Sequence, residues 1–346
     1  MKKILVTGSA GFIGFHLSER LINEGFYVIG LDSLNDYYDV GLKIARVSCL
    51  QQIKSANSLK APSQFTFIKL DLIERDAVMD LFSKERFDFV VHLAAQAGVR
   101  YSITNPQAYV NSNLIGFTNL LEACRSFPPR HLLFASSSSV YGLNSKTPFD
   151  TSHHTDHPVS LYAATKKANE VIAHSYAHLY GVPMTGLRFF TVYGPWGRPD
   201  MAYFSFTQKI LKGEPVELFN NGELMRDFTY IDDIVNGIVA LLEMVPEGDP
   251  RFDASDPDPS ISSAPYRLFN IGNNRPVKLM EFVNTLEDVI GIEAKKTFKA
   301  MQAGDVYTTY ADIKGLSDLV GFKPQTLLRD GLKKFVDWYR DYYKLS

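Results

Sequence analysis

Short runs of Val, Ile, Leu and Phe recur through the first half of the chain and alternate with longer amphipathic segments. The apolar runs are nearly continuous, which is typical of strands that are buried on both faces of a sheet. They predict strands at about residues 3–7, 27–32, 65–70, 88–93, 131–136 and 184–190. The amphipathic segments predict helices at about residues 12–24, 74–84, 106–126 and 161–180. This alternation predicts an α/β fold built on a doubly wound parallel sheet with right-handed crossovers.

The pattern changes after about residue 195, where residues 194–200 form a loop rich in Gly and Pro. Residues 36–64 are longer than an ordinary connection between strands, so we expect this segment to cover another part of the molecule. Residues 253–265, rich in Asp, Ser and Pro, are interpreted as a solvated insertion. The chain is therefore expected to divide into residues 1–190 and a smaller α/β domain, residues 191–346, some of whose segments return to the first. Further helices are predicted near residues 202–212, 231–244, 278–290 and 325–341.

The composition excludes several classes of protein. The 346 residues are 45% hydrophobic with a formal net charge of −2, which excludes a disordered chain and argues against nucleic acid as the main partner. Two cysteines, Cys49 and Cys124, are too few for a disulfide framework and have no metal-like spacing. There is no signal-peptide core, and no apolar run approaches the ~18 residues of a membrane span. We expect a soluble, cytoplasmic protein.

A glycine-rich loop, residues 8–14, follows the first predicted strand and begins the first predicted helix. Gly8, Gly11 and Gly14 permit a tight turn, close approach of the backbone to a pyrophosphate, and close packing of the helix on the strand. The N-terminus of that helix presents N–H groups and its positive dipole end to the phosphates. The spacing differs from Gly-x-Gly-x-x-Gly, so a plain turn is the alternative at this point.

The second predicted strand ends in Asp32, eighteen residues after Gly14. A carboxylate there accepts hydrogen bonds from the ribose hydroxyls of a dinucleotide and repels a 2′-phosphate, which favours NAD over NADP. Residues 71–72 and 93–95 follow two further strands and lead to the same edge of the sheet, where ligands of open α/β sheets bind. A turn or helix cap is the alternative role for Asp32.

Tyr162 and Lys166 are four residues apart at the start of a long helical segment, which places them on one face. A neighbouring cation favours the phenolate and lowers the pKa of the tyrosine, as a general base near neutral pH requires. Upstream, four serines at residues 136–139 end a buried strand, where a hydroxyl can hydrogen-bond a reacting oxygen. An ordinary pair on a helix surface and a serine-rich turn are the alternatives on local grounds.

Together these features resemble the extended short-chain dehydrogenase/reductase family of NAD-dependent nucleotide-sugar epimerases. The resemblance covers nearly the whole chain and, within the family, is strongest to the UDP-glucuronate 4-epimerases. Besides the loop, Asp32 and the serines, it is carried by residues 94–102 (AAQAGVRYS), 161–170 (LYAATKKANE) and 188–200 (RFFTVYGPWGRPD), with residues 35–39 (NDYYD) also similar. It implies a Rossmann-type NAD-binding first domain, a nucleotide-sugar-binding second domain and a place in polysaccharide biosynthesis.

The same resemblance implies a role for each site residue. Tyr162 is the expected base, Lys166 holds the nicotinamide ribose and tunes Tyr162, and Ser137 binds the sugar O4. The residues expected to bind NAD are Gly8, Gly11, Phe12, Ile13, Gly14, Asp32, Asn35, Asp71, Leu72, Leu93, Ala94, Ala95, Asn113, Ser136, Tyr162, Lys166 and Phe189, with Asn113 supporting the lysine. The residues expected to bind the UDP-sugar are Gln96, Arg100, Ser137, Ser138, Ser139, Thr191, Arg198, Phe219, Arg226 and Asp305.

Within the substrate group, Phe219 is expected near the uracil, Arg226 at the diphosphate and Asp305 at the uridine ribose. The related UDP-galactose 4-epimerases have Asn where this chain has Thr191, and Arg where it has Gln302, which argues against a plain UDP-galactose enzyme. Relatives are usually homodimers that form a four-helix bundle, and the predicted helices at 106–126 and 161–180 are the candidates for it here. No metal is expected, although residues 153–157 contain three histidines.

Several activities of this family begin with one step, in which Tyr162 removes the 4-hydroxyl proton while hydride leaves C4 for the nicotinamide. The 4,6-dehydratases then use an Asp and a Glu in a Thr-Asp-Glu-Val-Tyr-Gly stretch, and the decarboxylases usually carry a Glu before the Val. This chain has Ser-Ser-Ser-Val-Tyr-Gly at residues 137–142, and serine is no general acid of useful pKa. Epimerisation is therefore expected, with the keto sugar turning about its diphosphate and NAD held tightly.

The 4-keto form of a uronic acid is a β-keto acid and can lose CO2. We hypothesise that Arg198 and Thr191 bind the carboxylate and restrain its rotation, with Arg100 as a second candidate and a surface role for Arg198 as the alternative.

Two other functions stay open. One is a 4-epimerase of UDP-glucose or UDP-GlcNAc; the other is a non-catalytic NAD-binding protein, which intact Tyr162, Lys166 and Ser137 disfavour.

Overall fold

The structure, a computed structural model, describes residues 1–53, 64–302 and 306–345. Within these ranges the strands are β1 Lys3–Thr7, β2 Tyr27–Asp32, β3 Phe65–Lys69, β4 Phe89–His92, β5 His131–Ser137, β6 Met184–Phe189, β7 Thr191–Tyr193, β8 Val216–Leu218, β9 Met225–Tyr230, β10 Tyr266–Ile271, β11 Pro276–Lys278 and β12 Lys296–Phe298. The α-helices are α1 Phe12–Asn23, α2 Val40–Gln52, α3 Arg75–Glu85, α4 Tyr101–Thr104, α5 Pro106–Tyr109, α6 Gly116–Ser126, α7 Leu161–Tyr180, α8 Ala202–Leu211, α9 Ile231–Leu241, α10 Leu279–Ile290, α11 Lys314–Val320 and α12 Leu328–Tyr343.

Seven strands form one parallel sheet in the order β10-β6-β5-β4-β1-β2-β3. Its central strands are buried on both faces, and alternate side chains of β1 join different apolar clusters. Ile4 and Val6 pack with α1 and α9, whereas Leu5 packs with α3, α6 and α7. The α/β class and the doubly wound parallel sheet predicted from the apolar runs are therefore confirmed, and all six predicted strands are present.

Two smaller sheets complete the fold. In one, β9 pairs with β7 in parallel and with β11 in antiparallel orientation. In the other, β8 pairs with β12. Their apolar residues, together with those of α8, α10 and α12, continue the cluster on the Ile4 face of the main sheet.

Three differences from the sequence-based elements concern the main sheet and its connections. The helix predicted at residues 106–126 is interrupted, because residues 110–115 form a π-helical turn between α5 and α6. The long connection after β2 contains α2, which the apolar pattern did not single out. Strand β10 was also missed, since it follows directly on the polar segment 253–265; that segment is exposed at Asp253 but buried at Ser262.

The parallel strands bring functional side chains to one edge of the main sheet. Thr7 ends β1 opposite His92 at the end of β4, and Ser137 ends β5 opposite Phe189 at the end of β6. Asp32 ends β2 next to β1. No helix in the described ranges is long and apolar enough to cross a membrane.

Two buried histidines, His92 and His131, and the partly buried His16 are neutral, which makes stability dependent on pH. Burial lowers the pKa of His16 to about 4, of His92 to about 3 and of His131 to about 4, from an ordinary value of 6.5. The unfolded chain binds protons on these rings below pH 6.5 while the folded chain does not, so unfolding becomes easier as the pH falls toward 4. Each histidine contributes a slope of about 1.4 kcal/mol per pH unit in that window. We expect the melting temperature to fall steeply between pH 6.5 and 5 and to be nearly flat from 6.5 to 7.5.

His131 provides the control for this prediction. Its Nδ1 donates to the Leu242 carbonyl at 3.1 Å and its Nε2 lies 2.8 Å from the Thr185 hydroxyl, so both ring nitrogens have a partner. The variant His131→Gln retains polar contacts without a titrating ring and should show a shallower acid slope. A melting temperature that is flat from pH 7.5 to 5 in the unaltered protein would contradict the prediction.

Candidate active site

A cavity of about 860 Å³ opens along the carboxyl edge of the main sheet. The glycine-rich loop, the ends of β2, β4, β5 and β6, and the start of α7 form one side of it. Segments from the C-terminal half form the other side. Predicted site residues that line it are Gly8, Gly11, Phe12, Ile13, Gly14, Asp32, Asn35, Asp71, Leu72, Leu93, Ala94, Ala95, Gln96, Arg100, Ser136, Ser137, Ser138, Ser139, Tyr162, Lys166, Phe189, Thr191, Arg198, Phe219 and Arg226.

The glycines of the loop are required by its packing. Gly8 has a φ of +73°, a left-handed conformation that disfavours other residues, and a Cβ there would lie 2.8 Å from the backbone nitrogen of Ala94. A Cβ at Gly14 would lie 2.1 Å from the Gly8 carbonyl oxygen. The loop can therefore sit tightly between β1 and the end of β4 only with glycine at both positions.

The N-terminus of α1 is arranged to bind an anion. The helix is preceded by Gly11, no side chain caps it, and its first turn contains no acidic residue. Its first N–H groups and its positive dipole end therefore face the cavity without a competing carboxylate. The loop and helix fit the pyrophosphate of a dinucleotide.

Asp32 is held in place by two backbone N–H groups. Its Oδ1 accepts from the Leu34 nitrogen at 2.8 Å and its Oδ2 accepts from the Ala10 nitrogen at 3.2 Å. Burial raises the pKa of this carboxyl above its usual value, and the charges of Lys43 and Arg46 partly oppose that shift. Each carboxylate oxygen has a second lone pair, so both can also accept from ribose hydroxyls.

Tyr162 lies inside the cavity beside Ser137. Burial raises the pKa of the phenol, while its hydrogen bond with Ser137 and the positive charge of Arg198 lower it. The negative charge of Asp200 acts in the opposite direction. Tyr162 and Ser137, which come from two separate segments of the chain, therefore lie next to each other in the cavity.

In the structure the cation that lowers the pKa of the Tyr162 phenol is Arg198, and the influence expected of Lys166 on that pKa stays a prediction. The Lys166 ammonium instead donates to the Ala135 carbonyl at 2.8 Å, and its burial lowers its own pKa to about 8. Lys166 still lines the cavity next to Tyr162 and can reach a ribose hydroxyl from there.

A buried ion pair holds the end of β5 against α7. Glu170, one turn beyond Lys166, accepts from the Ser136 hydroxyl at 2.7 Å and from two nitrogens of Arg188 at 2.8 and 3.0 Å. The side chains of Arg188 and Glu170 are 0% and 2% exposed. The hydrogen of the Ser136 hydroxyl is donated to Glu170, so toward a cofactor this hydroxyl can act only as an acceptor.

Asn113 is buried behind the cavity rather than in its lining, which corrects its expected role. Its amide donates to the Gln96 carbonyl at 3.1 Å and to the Thr165 hydroxyl at 3.0 Å, and its carbonyl accepts from the Gln96 nitrogen at 2.8 Å. Asn113 therefore holds the segment that carries Gln96 against helix α7 and does not contact Lys166 directly.

Arg198 is already paired within the cavity. Its Nε and Nη2 donate to the two carboxylate oxygens of Asp200 at 3.0 and 2.5 Å, and the Tyr37 hydroxyl donates to the same carboxylate at 3.2 Å. The position of Arg198 beside Tyr162 agrees with a role at the reacting sugar, but its partner Asp200 was not anticipated.

Arg100, Phe219 and Arg226, which the sequence predicts to contact the UDP-sugar, also line the cavity. The Arg100 guanidinium carbon is 5.0 Å from the centre of the Phe219 ring. Arg226 donates to the carbonyls of Met225 and Tyr307 at 2.9 and 3.2 Å. Asp305, expected at the uridine ribose, lies outside the described residues.

The cavity residues that the sequence-based list omitted include Tyr37, Lys43 and Asp200. Lys43 donates to both oxygens of Asn35, at 2.6 Å each, and so fixes a predicted cofactor residue. A signal for Lys43 exists in the sequence, since it falls on the apolar face of a helical segment where a charge is unusual. Among the described residues, no cluster of three His, Cys, Asp or Glu side chains is placed to hold a metal.

Comparison with known proteins agrees with the geometry. The model of the NAD dependent epimerase/dehydratase family matches residues 4–255. Protein CapI of Staphylococcus aureus is 54% identical over 342 residues, covering 99% of this chain and 99% of that protein. A probable UDP-glucuronate 4-epimerase of Rhizobium meliloti (strain 1021) is 47% identical over 343 residues, covering 99% of this chain and 98% of that protein.

A solved structure is similar over the full length. It is the UDP-glucuronic acid 4-epimerase from Bacillus cereus in complex with UDP-glucuronic acid and NAD, with a TM-score of 0.84 at 34% identity, covering 99% of this chain and 100% of that one. Because the family model spans most of the chain and the fold follows a solved epimerase from end to end, the chain belongs to the NAD dependent epimerase/dehydratase family, the extended short-chain dehydrogenases/reductases that the sequence resembles.

Proposed function

We propose that the chain interconverts UDP-glucuronate and UDP-galacturonate by reversible epimerisation at C4, using bound NAD. The observation that carries the proposal is the position of a paired cation, Arg198, in the same cavity as Tyr162 and Ser137. A cation beside the reacting hydroxyl suits a sugar that bears a carboxylate. The names of the Rhizobium and Bacillus relatives support the same substrate.

NAD fits the first side of the cavity. The pyrophosphate is assigned to the N-terminus of α1, the adenosine ribose to Asp32, and the nicotinamide ribose to Lys166. When bound, NAD supplies a reversible hydride acceptor for C4 of the sugar. The Asp32 carboxylate, held by two backbone N–H groups, disfavours the additional phosphate of NADP.

Tyr162 is assigned as the group that takes the proton of the 4-hydroxyl and later returns it. Ser137 shares a hydrogen bond with the phenol, and its hydroxyl can hydrogen-bond the sugar oxygen when the substrate is bound. Because Ser138 and Ser139 offer no carboxylate, the keto sugar has no general acid or base for elimination at this position. The sugar then turns about its diphosphate and presents its opposite face to the same groups.

The substrate carboxylate is assigned to Arg198 and Thr191. The pair with Asp200 uses Nε and Nη2 of the guanidinium, so Nη1 is the nitrogen that we assign to the substrate. A carboxylate fixed in this way keeps its bond to the sugar ring out of alignment with the π orbital of the C4 ketone. Loss of CO2 from the keto intermediate requires that alignment and is therefore slowed.

Replacing Arg198 with alanine should reduce the preference for UDP-glucuronate over UDP-glucose, measured as the ratio of kcat/KM values. A charge-assisted hydrogen bond is worth about 1.5–3 kcal/mol, which corresponds to a loss of roughly ten- to hundredfold. The control is Arg251→Ala, because Arg251 makes a similar two-point pair with Asp249, at 2.9 and 2.6 Å, on the exposed surface. Full selectivity in Arg198→Ala would show that the carboxylate is bound elsewhere.

The proposed function itself is tested by incubating the purified protein with UDP-glucuronate and following the sugar signals by NMR. We expect UDP-galacturonate to appear and UDP-pentose to be a trace product at most. Turnover of UDP-GlcNAc or UDP-glucose without turnover of UDP-glucuronate would refute the assignment of the substrate.

Three further features belong to the proposal. Residues 1–190, completed by β10, are assigned to NAD and most of residues 191–346 to the UDP-sugar. Two copies are expected to associate through α6 and α7, since Val171 and Leu179 on α7 are 54% and 65% exposed. The reaction is placed in the cytoplasm, where its product supplies polysaccharide biosynthesis.

A further inference from the structure

Helix α2, in the long connection after β2, buries a complete guanidinium group. Its inward face carries Leu42, Val47 and Leu50, and among these apolar residues lies Arg46, whose side chain is 0% exposed. An arginine on the apolar face of a helix is unusual, because burying its charge is unfavourable unless every part of it is satisfied.

The Arg46 guanidinium donates hydrogen bonds to two separate loops of the chain. Nη1 donates to the Ala10 carbonyl at 2.8 Å and to the Tyr38 hydroxyl at 2.8 Å. Nη2 donates to the carbonyls of Trp196 and Gly197 at 2.6 and 3.0 Å. One rigid, planar group therefore bridges the glycine-rich loop and the loop of residues 194–200, which we call the Arg198 loop.

The chemistry of these contacts argues against a purely structural role. Within residues 1–53, 64–302 and 306–345, the hydrogen-bond acceptors of Arg46 are three carbonyls and one hydroxyl and include no carboxylate, and its Nε has no hydrogen-bond partner. Carbonyl acceptors offset only part of the cost of removing a charge from water. An apolar residue of similar size could fill the same space but would leave the carbonyls of Ala10, Trp196 and Gly197 without this donor, so the guanidinium fixes the position of both segments through its hydrogen bonds.

On the cofactor side, Arg46 and Asp32 hold Ala10 from both ends. The Ala10 nitrogen donates to Asp32 and the Ala10 carbonyl accepts from Arg46, at 3.2 and 2.8 Å. The carbonyl is thereby turned toward α2, and the next residue, Gly11, begins the turn that directs the N–H groups of α1 at the cavity.

On the substrate side, Arg46 supports a strained turn. Trp196 has a φ of +58°, a left-handed conformation that is unfavourable for a residue with a side chain. Gly197 follows, and any Cβ there would lie 2.1 Å from the Tyr203 hydroxyl oxygen. His16 of α1 adds a third support, since its Nε2 donates to the Pro195 carbonyl at 2.9 Å. The backbone so fixed leads directly into Arg198.

We propose that Arg46 is a positioning residue that couples the cofactor loop to the Arg198 loop, so that binding of NAD orders the site that receives the sugar. The two loops cannot shift independently while one guanidinium holds carbonyls of both. By reciprocity, a ligand bound at the Arg198 loop also strengthens the hold on NAD. The proposal rests on the proposed function only for the identity of the two ligands.

The test measures NAD affinity and amide hydrogen exchange in protein freed of NAD and then reloaded. In the unaltered protein, NAD should slow exchange in residues 194–200 as well as in residues 8–14. Arg46→Met should bind NAD about tenfold more weakly, as loss of a charge-assisted bond predicts, and NAD should no longer protect residues 194–200. Arg46→Lys should also lose that protection, because an ammonium point charge cannot bridge both pairs of carbonyls.

The control is Arg267→Met. Arg267 also donates to a hydroxyl and a backbone carbonyl, those of Thr185 and Met244, but on the outer strand of the main sheet. It should leave NAD affinity and the protection of both loops unchanged, which separates coupling from a general loss of stability. If Arg46→Met does not fold, Arg46→Lys decides the question.

An unchanged NAD affinity in Arg46→Met, or unchanged protection of residues 194–200 by NAD in Arg46→Lys, overturns the proposal. The exchange experiment needs no UDP-sugar. Failure of the unaltered protein to convert UDP-glucuronate would therefore count against the proposed function alone.

Discussion

Replacing Tyr162 with phenylalanine is expected to lower kcat for epimerisation by roughly 10²–10⁴-fold while the protein keeps its NAD. The phenol is the one group assigned to carry the proton of the sugar hydroxyl, and Ser137 cannot replace it because its hydroxyl has no useful pKa. The change removes a single oxygen, so the packing of the ring beside Tyr109, with ring centres 6.1 Å apart, is preserved. The measurement is the steady-state rate together with the NAD released on denaturation.

The matched control for this variant is Tyr27→Phe. Tyr27 also loses one hydroxyl, which lies 2.8 Å from the Thr66 hydroxyl at the opposite end of the sheet, and its loss should leave kcat unchanged. If Tyr162→Phe retained more than a tenth of the activity, another residue would have to be the base. Loss of NAD from Tyr162→Phe would contradict the view that its hydroxyl acts in proton transfer and not in cofactor retention.

The second large effect is expected from Glu170→Gln. This variant leaves Arg188, whose side chain is fully buried, without its counter-charge, and breaking a buried ion pair costs about 3–5 kcal/mol. We expect a marked fall in the melting temperature and in the urea midpoint. The end of β5 should loosen as well, because Ser136 loses an ionised acceptor next to Ser137.

Two further variants define this effect. The double variant Glu170→Gln with Arg188→Met should recover part of the lost stability, since no uncompensated charge then remains in the interior. Asp337→Asn breaks the exposed Lys333–Asp337 pair, with a distance of 2.7 Å, and should cost no more than about 1 kcal/mol. Equal stability of Glu170→Gln and the unaltered protein would mean that the buried pair contributes nothing.

The sheet was predictable because its strands are apolar on both faces. Residues such as those of β1 and β4 leave no polar alternation that could be mistaken for a surface strand, and the helices between them have clear periodicity. Strand β10 follows a polar segment and carries Arg267 and Asn270, so its short apolar pattern is indistinguishable from a helix fragment. Its place beside β6 depends on contacts between segments far apart in the chain, which local pattern does not contain.

The residues of the site also differ in whether the sequence alone could assign them a role. Tyr162 and Ser137 were assigned roles through the family resemblance of two local motifs at the ends of predicted elements, and both line the cavity. Asp200 and Arg46 could not be assigned a role, because each acts through a partner that only the folded chain brings near. The lysine shows the limit of spacing alone, since Lys166 shares a helix face with Tyr162 yet directs its ammonium to the Ala135 carbonyl.

The late position of β10 has a consequence for synthesis on the ribosome. Strand β6 ends at Phe189, but its outer neighbour, β10, spans Tyr266–Ile271, so more than seventy residues must be translated before that edge is covered. During this interval β6 exposes a row of unpaired N–H and C=O groups beside apolar side chains, a pattern that promotes pairing with other chains. A nascent chain stalled between these two strands would therefore be the species most prone to aggregate, and the one that chaperones would have most reason to bind.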